Sequence, residues 1–192
     1  VSLENTAIVF CDYEHGILGM YPESEERTEF LQASKRLREA VSSIPESRRP
    51  LVIHVKVAFR NGHPEVGEKG WVKNLKQMGI LVEGTNQADF FPGFEPAEGE
   101  AVVVKRRYNP FLGTDLEMIL RVSGIEHIIF AGLSTSGVIL SGVTVAADLD
   151  YTISVVSDCT IDHNDQLRES LLSSGFAKRA QVVDSAQVIS SL

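Results

Sequence analysis

The chain has 192 residues, of which 43% are hydrophobic and 23% charged, and its formal net charge is −8. This length and composition predict one globular domain, over residues 1–192, with a full-sized core. The negative charge disfavours nucleic acid and anionic membranes as partners, because both would repel it. The two cysteines are too few for a disulfide-stapled secreted domain, so we predict a cytoplasmic protein.

The segment 128–147 has no charged residue and is about as long as a membrane span. Glycines at positions 132, 137 and 142 interrupt it, and amphipathic elements flank it on both sides. A strand feeding a buried helix explains it better than a membrane helix. The first residues, 1–12, also lack the basic start and apolar stretch of a signal peptide, so no membrane partner is predicted.

Strands alternate with helices along the whole chain. Apolar runs rich in β-branched residues predict strands at 6–11, 51–59, 101–104, 125–131, 151–156 and 181–183. Helical spacing and capping residues predict helices at 28–44, 114–124, 134–150 and 162–175 and after Ser185, the second with a capping box from Thr114 to Glu117. This order predicts a three-layer α/β/α sandwich around a six-stranded, Rossmann-like parallel sheet.

Residues 60–100 form a long excursion that is rich in glycine and proline but also carries Trp71 and the Phe90–Phe91 pair. Long irregular segments in compact domains are usually covers or interfaces. Because a monomer rarely exposes that much apolar surface, we expect either a lid within the chain or a contact between subunits. We favour a homo-oligomer, a dimer or tetramer.

Asp12, Lys105 and the turn 132–138 each follow a predicted strand. The carboxyl ends of parallel strands meet at one edge of a sheet, which is where α/β proteins bind small molecules. An Asp beside a Lys can act as a base or an orienting group, although a purely structural ion pair would look the same in the sequence.

Three motifs together resemble one known family. They are the strand ending in Asp12, Lys105 followed by Tyr108-Asn109-Pro110-Phe111, and Gly132-x-x-Thr135 opening a helix that closes at Asp150-Tyr151. This combination resembles the isochorismatase-like hydrolases, also called the cysteine hydrolase superfamily, over residues 5–190. The resemblance implies the isochorismatase-like fold and a small-molecule substrate.

The resemblance also implies roles for individual residues. Asp12 and Lys105 match two members of a catalytic triad, and Leu133–Ser134 matches a cis peptide bond. The backbone N–H groups of Ser134 and of position 138 would form the oxyanion hole. The nucleophilic cysteine belongs at position 138, where this chain has Val138. We expect the pocket beside Val138 to be lined by Phe59, Trp71, Phe91, Tyr108, Phe111 and Thr135.

Without the cysteine, whether the chain is an enzyme is open. Family members that cleave vinyl ethers by protonation and water addition need no covalent intermediate, so Asp12 and Lys105 would suffice for such a bond. If the chain is active, we expect it to act on a C–N or vinyl-ether bond of a small molecule, although not on an amide through an acyl-enzyme. Ser136 as a substitute nucleophile would need a stronger base than Asp. The alternative is a non-catalytic binding or interaction protein, a pseudoenzyme.

No cofactor and no metal ion are expected. The metal-binding members of the family use an Asp and two His at the second strand and the loop after it. This chain has His54 and His63 there but no Asp-x-His pattern, and Lys56 adds a positive charge. We therefore interpret both histidines as structural, because a metal site needs more ligands than this segment supplies.

Overall fold

The structure, a computed structural model, describes residues 3–192. Its centre is one six-stranded, fully parallel sheet with the strand order β3-β2-β1-β4-β5-β6. The strands are β1 (Thr6–Cys11), β2 (Leu51–Val57), β3 (Ala101–Lys105), β4 (His127–Leu133), β5 (Thr152–Ile161) and β6 (Gln181–Val183). The predicted α/β fold with a six-stranded parallel sheet is confirmed.

Helices cover both faces of the sheet. They are α1 (His15–Leu18), α2 (Glu25–Ser42), α3 (Val72–Met78), α4 (Leu116–Val122), α5 (Leu140–Asp148), α6 (Asp165–Ser170) and α7 (Ser185–Ser191). Residues from α1, α2 and α7 pack on one face, and residues from α4, α5 and the π-helical turn Leu171–Gly175 pack on the other. Successive strand residues alternate between the two cores, so β1 buries Ile8 on one side and Val9 on the other.

The excursion between β2 and β3 is mostly irregular, as predicted, and contains α3 and a short 3₁₀ turn, Asn86–Ala88. Much of its apolar surface is buried within the same chain: Leu75, Leu81 and Phe94 are buried. Met78 remains 65% exposed. The segment therefore covers the chain's own core to a large extent, and the homo-oligomer stays a prediction.

Several element ends differ from the predictions. β5 runs to Ile161 rather than ending near 156, because a register shift between β4 and β5 lets pairing resume at Gly132 and Leu133. The capping box at Thr114 is absent, since the Thr114 hydroxyl accepts the Leu116 N–H rather than that of Glu117, and it donates to the Pro110 carbonyl. The last helix begins with the capping box of Asp184 and Gln187 rather than with Ser185 as its cap.

Within residues 3–192, no helix combines the length and the apolar character that crossing a membrane requires. The segment 128–147 instead divides between β4, a π-helical turn over Thr135–Ile139 and α5. In that turn the Ile139 N–H donates to the Ser134 carbonyl, five residues earlier. A wide turn of this kind inside a helix often marks a functional site.

Candidate functional site

A cavity of about 110 Å³ opens where the carboxyl ends of the central strands meet. Its floor holds the ends of β1, β3 and β4 and the turn that follows β4. The residues of the floor are Asp12, Lys105, Leu133, Ser134 and Val138. The sheet order places β1 and β4 side by side at its centre, where the order of the strands reverses, and crevices at such points bind ligands.

A larger groove, of about 450 Å³, lies between α2 and the end of β5. Its walls carry charged side chains, among them Glu26, Arg36, Asp158 and Arg168. Arg168 donates to two backbone carbonyls there, at Ser157 and Thr160, which is a structural arrangement. The smaller cavity is the better candidate because it contains the buried ion pair and is more apolar and more enclosed.

Asp12 and Lys105 form a buried ion pair on the floor of the cavity. The Lys105 Nζ lies 2.8 Å from the Asp12 Oδ2, and the two side chains are 2% and 6% exposed. Lys105 also donates to the Arg107 carbonyl at 3.1 Å. Asp12 Oδ1 is buried and has no hydrogen-bond partner among the described residues. This oxygen is therefore available to a ligand or to a water molecule.

Asp12 stands on a left-handed backbone position directly after β1, with φ of 61°. Its backbone N–H still donates to the Val55 carbonyl at 2.8 Å, so the residue remains attached to β2. Burial raises the pKa of Asp12 above its ordinary value, against the lowering influence of the Lys105 ammonium. A carboxyl group with a raised pKa can hold a proton and deliver it.

Glu14 is a third buried ionisable group at this site, and the sequence analysis missed it. Its Oε1 accepts the Val57 N–H at 2.9 Å, while its Oε2 is buried with no partner among the described residues. Burial, and then the charge of Asp12, raise the pKa of Glu14 well above its ordinary value. The Lys105 ammonium offsets only part of this effect, so the structure favours the protonated form of Glu14 more than water does for an exposed glutamate.

The turn after β4 brings Val138 to the cavity. Gly132 has φ of 136°, and a side chain there would overlap the Cys11 carbonyl, so only glycine fits. The peptide bond between Leu133 and Ser134 is cis, as the family resemblance implies. Val138 is buried and lines the cavity where the resemblance places a cysteine.

Two side chains from the end of β5 hold this turn. The Asp162 Oδ2 accepts the Ser136 N–H at 2.7 Å, and its other oxygen accepts the Asn164 N–H at 3.2 Å. Thr135 is fully buried; its hydroxyl lies 2.7 Å from that of Thr160 and donates to the Ile161 carbonyl. Asp162 therefore caps the turn after β4, whereas the sequence suggested that it begins the next helix.

Two stacked aromatic pairs line the cavity. The Trp71 and Tyr108 rings stack with centroids 4.0 Å apart, and they are 37% and 45% exposed. The Tyr21 and His163 rings stack at the same separation. All four residues line the cavity, as do the apolar side chains of Ile17, Met20, Val57 and Leu75. The walls are therefore mainly apolar.

Of the six residues expected to line the pocket, the structure brings Trp71 and Tyr108 to it. Phe59 is fully buried in the small core under the excursion, and Phe91 packs beside His15. Phe111 packs against the core beneath α4 and α5, and Thr135 faces β5. The expectation for these four residues is corrected: Phe59 and Phe91 are packed away with the excursion, whereas Phe111 and Thr135 lie after it in the chain and are held against the core and β5.

The two cysteines lie outside the cavity lining. Burial raises the pKa of the Cys11 thiol well above its ordinary value, and the Cys159 thiol is shifted in the same direction by the same cause. Both are therefore poor nucleophiles as they stand. No group of three or more His, Cys, Asp and Glu side chains within residues 3–192 is arranged to hold a metal ion.

His54 and His63 both have protein partners. His54 lies 2.9 Å from Glu100, which Arg38 also contacts, so it belongs to a buried network at the start of β3. His63 lies 2.9 Å from the Ile80 carbonyl. The His54 contact thus holds the end of the excursion to β2, and the His63 contact links two parts of the excursion to each other.

Comparison with known proteins gives the same fold. A family model described as the Isochorismatase domain matches residues 6–187. The solved structure of an isochorismatase family protein from Desulfovibrio vulgaris aligns with a TM-score of 0.84 at 25% identity, covering 97% of each chain. The N-carbamoylsarcosine amidase of Thermoplasma acidophilum aligns with a TM-score of 0.76 at 21% identity, covering 94% of this chain and 96% of that one.

Sequence relatives agree with the structural ones. A maleamate amidohydrolase of Pseudomonas putida is 30% identical over 69% of this chain, and the chain spans 62% of that protein's length. An uncharacterized isochorismatase family protein of Bacillus subtilis is 26% identical over 90% of this chain and 86% of its own. With a family model that matches nearly the whole sequence, this chain belongs to the isochorismatase family.

Proposed function

We propose that this protein hydrolyses a C–N or vinyl-ether bond of a small molecule without forming a covalent intermediate. The observation that carries the proposal is the buried Asp12–Lys105 pair in a cavity that Val138 also lines, with Asp12 Oδ1 having no hydrogen-bond partner among the described residues. The chain keeps the groups that move and orient a proton, and it lacks the side chain that would attack the substrate.

Asp12 is the proton-transfer group in this proposal. For a vinyl ether, its protonated carboxyl group donates to the substrate carbon and water adds to the resulting cation, after which the hemiacetal releases the alcohol. For a C–N bond, the Asp12 carboxylate accepts a proton from the attacking water and returns it to the leaving nitrogen. Lys105 holds the Asp12 carboxyl in place through its 2.8 Å contact.

Water is the nucleophile because no lining side chain can replace it. Val138 has no nucleophilic atom, and among the described lining residues Ser134 is the only aliphatic hydroxyl. The Ser134 hydroxyl interacts with the Tyr21 hydroxyl, and burial raises the pKa of that phenol, so Tyr21 does not act as a base for it. The Ser134 and Val138 N–H groups remain the candidates for stabilising a developing oxyanion.

The relatives support a reaction at a C–N bond. They include a maleamate amidohydrolase, a ureidoacrylate amidohydrolase and an N-carbamoylsarcosine amidase. Each name describes an amide or ureido substrate of that protein. The family resemblance implies a cysteine at the position where this chain has Val138. We therefore propose the same class of bond for this chain but a reaction without a covalent intermediate.

The test is an NMR-monitored hydrolysis screen with a panel of small amides, ureides and vinyl ethers. The wild-type protein is expected to release product from one class, and Asp12→Asn is expected to lose at least about 100-fold in rate, the usual contribution of a positioned acid or base. Asp115→Asn is the matched control, because Asp115 is an exposed carboxylate outside the cavity. Equal rates for wild type and Asp12→Asn would contradict the proposal.

A non-catalytic binding protein is the second candidate, and Val138 is the observation that favours it. An isopropyl group at the nucleophile position turns the deepest part of the site into a binding surface. Mass spectrometry of small molecules released from the purified, denatured protein distinguishes the two. A retained intact ligand, together with no turnover in the screen, would favour binding alone.

We also infer a cytoplasmic homo-oligomer, a dimer or tetramer, in which a neighbouring subunit covers exposed apolar residues of the excursion. Support comes from Met78 and Trp71, which stay 65% and 37% exposed although much of the segment is buried. Sedimentation at micromolar concentration tests this inference. A mass close to that of one chain would refute it.

A further inference from the structure

We infer that the cavity selects an uncharged, compact ligand with an apolar body and excludes carboxylates of the same shape; this rests on the proposed function for the identity of the site. Charge decides the selection first. Among the cavity-lining residues, all within the described part of the chain, Lys105 is the only lysine or arginine.

The Lys105 charge is already balanced. Its ammonium group contacts Asp12 at 2.8 Å and the Arg107 carbonyl at 3.1 Å, and its side chain is 2% exposed. A carboxylate in the cavity would lie beside the Asp12 carboxyl without a free cation to offset the loss of its hydration. Burying an unpaired carboxylate is strongly unfavourable, whereas a neutral amide loses much less.

The nearby arginines are also engaged. Arg106 contacts Glu65 at 3.2 Å and Glu83 at 2.5 Å. The Arg107 guanidinium donates to the backbone carbonyls of Arg106 and Glu65. Neither arginine lines the cavity. The basic stretch Lys105-Arg106-Arg107 therefore provides no free guanidinium group for an anionic ligand.

The helical turn after β4 is the other feature that attracts anions, and it is partly occupied. Backbone N–H groups at such a turn normally favour negative charge. Here the Asp162 carboxylate, which is 8% exposed as a residue, accepts the Ser136 N–H at 2.7 Å. The protein's own carboxylate thus weakens the attraction of the turn for a fully charged ligand, and the Ser134 and Val138 N–H groups are left for the carbonyl oxygen of a neutral one.

Shape and polarity of the walls define the rest of the ligand. Ile17, Met20, Leu75 and Val138 supply aliphatic surface, and the Trp71–Tyr108 stack adds an aromatic edge to the mouth. The volume of about 110 Å³ is below the roughly 150 Å³ that holds benzene in a model cavity. The enclosed part therefore accepts a body of at most about six heavy atoms, with one polar group directed at Asp12.

Isobutyramide and isobutyrate are suitable probes because they have the same shape and differ in charge. Both are titrated into the wild-type protein at about pH 8, where isobutyrate is fully ionised and isobutyramide is neutral. Fragments of this size bind in the millimolar range, so protein chemical shifts are followed by NMR. Isobutyramide is expected to bind at least about tenfold more tightly than isobutyrate, equivalent to about 1.4 kcal/mol.

A charge placed at the mouth provides the second measurement. Met20 lines the cavity and is 39% exposed, so Met20→Lys is expected to fold normally and supply the missing cation. Its affinity for isobutyrate should rise by about tenfold relative to its affinity for isobutyramide, because only the carboxylate gains from the new charge. Met118→Lys is the matched control, because Met118 is 60% exposed on α4 and lies outside the cavity.

The outcomes separate this inference from the proposed function. If wild type binds isobutyrate as tightly as isobutyramide, or binds neither, the inference is overturned. The same result follows if Met20→Lys and Met118→Lys change isobutyrate binding equally. Selective binding of isobutyramide with no hydrolysis in the screen would support the inference and count against the proposed function alone.

Discussion

Removing Lys105 tests the ion pair at the centre of the site. In Lys105→Met, the methionine fills most of the volume of the lysine stem and leaves the Asp12 carboxyl without the ammonium 2.8 Å away. Both side chains are almost completely buried, at 2% and 6% exposed, so solvent cannot replace the lost partner. Breaking a buried pair in this way costs about 3–5 kcal/mol.

The expected change is large enough for a thermal melt. For a chain of this size, each kcal/mol shifts Tm by about 2–4 °C, so Lys105→Met should melt about 6–20 °C below wild type at about pH 8. The loss should shrink as the pH falls. Without Lys105, the pKa of Asp12 rises further, and a group with a raised folded-state pKa destabilises the fold increasingly as pH rises.

Two further variants test whether the stability loss comes from leaving one buried charge unpaired. Asp12→Asn/Lys105→Met removes both charges and should recover most of the lost stability, because replacing both partners of a buried pair is often neutral. Arg121→Met breaks the exposed i,i+4 pair with Glu117 and should cost at most about 0.5 kcal/mol. A Lys105→Met variant within about 1 kcal/mol of wild type, or a double variant no more stable than the single one, would refute this reasoning.

Three other predictions concern the surroundings of the pair. Glu14→Gln keeps the acceptor for the Val57 N–H. Because the pKa of Glu14 is raised in the folded state, the stabilising contribution of Glu14 is present at low pH and lost as pH rises, so Tm of the variant should increasingly exceed that of wild type between about pH 5 and 9. Parallel curves of Tm against pH would contradict this. Gly132→Ala should lower the free energy of unfolding, measured by chemical denaturation, by at least about 3 kcal/mol, since the alanine side chain would overlap the Cys11 carbonyl. Gly124→Ala is the control: Gly124 has φ of 64° but open space around the added methyl group, so the loss should be about 1 kcal/mol. Equal losses would argue against the close approach at Gly132. Neither buried cysteine should react with Ellman's reagent in the folded protein, and both should react in denaturant; rapid labelling of the native protein would show that a thiol is accessible.

The sheet and the pair could be predicted from the sequence because both follow from periodicity. Short apolar runs identify the strands, and parallel strands end at a common edge. Asp12 follows β1 and Lys105 ends β3, the two strands on either side of β2, and their side chains meet across it. Val138 could be placed only by its spacing from Gly132 in the family motif.

The walls of the cavity could not be predicted, because they come from segments without periodicity. The excursion buries Phe59 under itself and presents Trp71 instead, a result that depends on its tertiary path. Tyr21 and His163 meet from loops far apart in the sequence. Glu14 was missed for a different reason: a glutamate just beyond a strand is usually solvated, and here the structure buries it completely.

The central claim is hydrolysis at the Asp12–Lys105 pair without a covalent intermediate. The most direct test is intact-protein mass spectrometry on samples quenched during turnover of the substrate found in the screen, with product measured in the same samples. The account predicts accumulating product while the protein keeps its unmodified mass. An added mass equal to the acyl part of the substrate would contradict it, and mapping that adduct to Ser134 or Ser136 would identify the nucleophile.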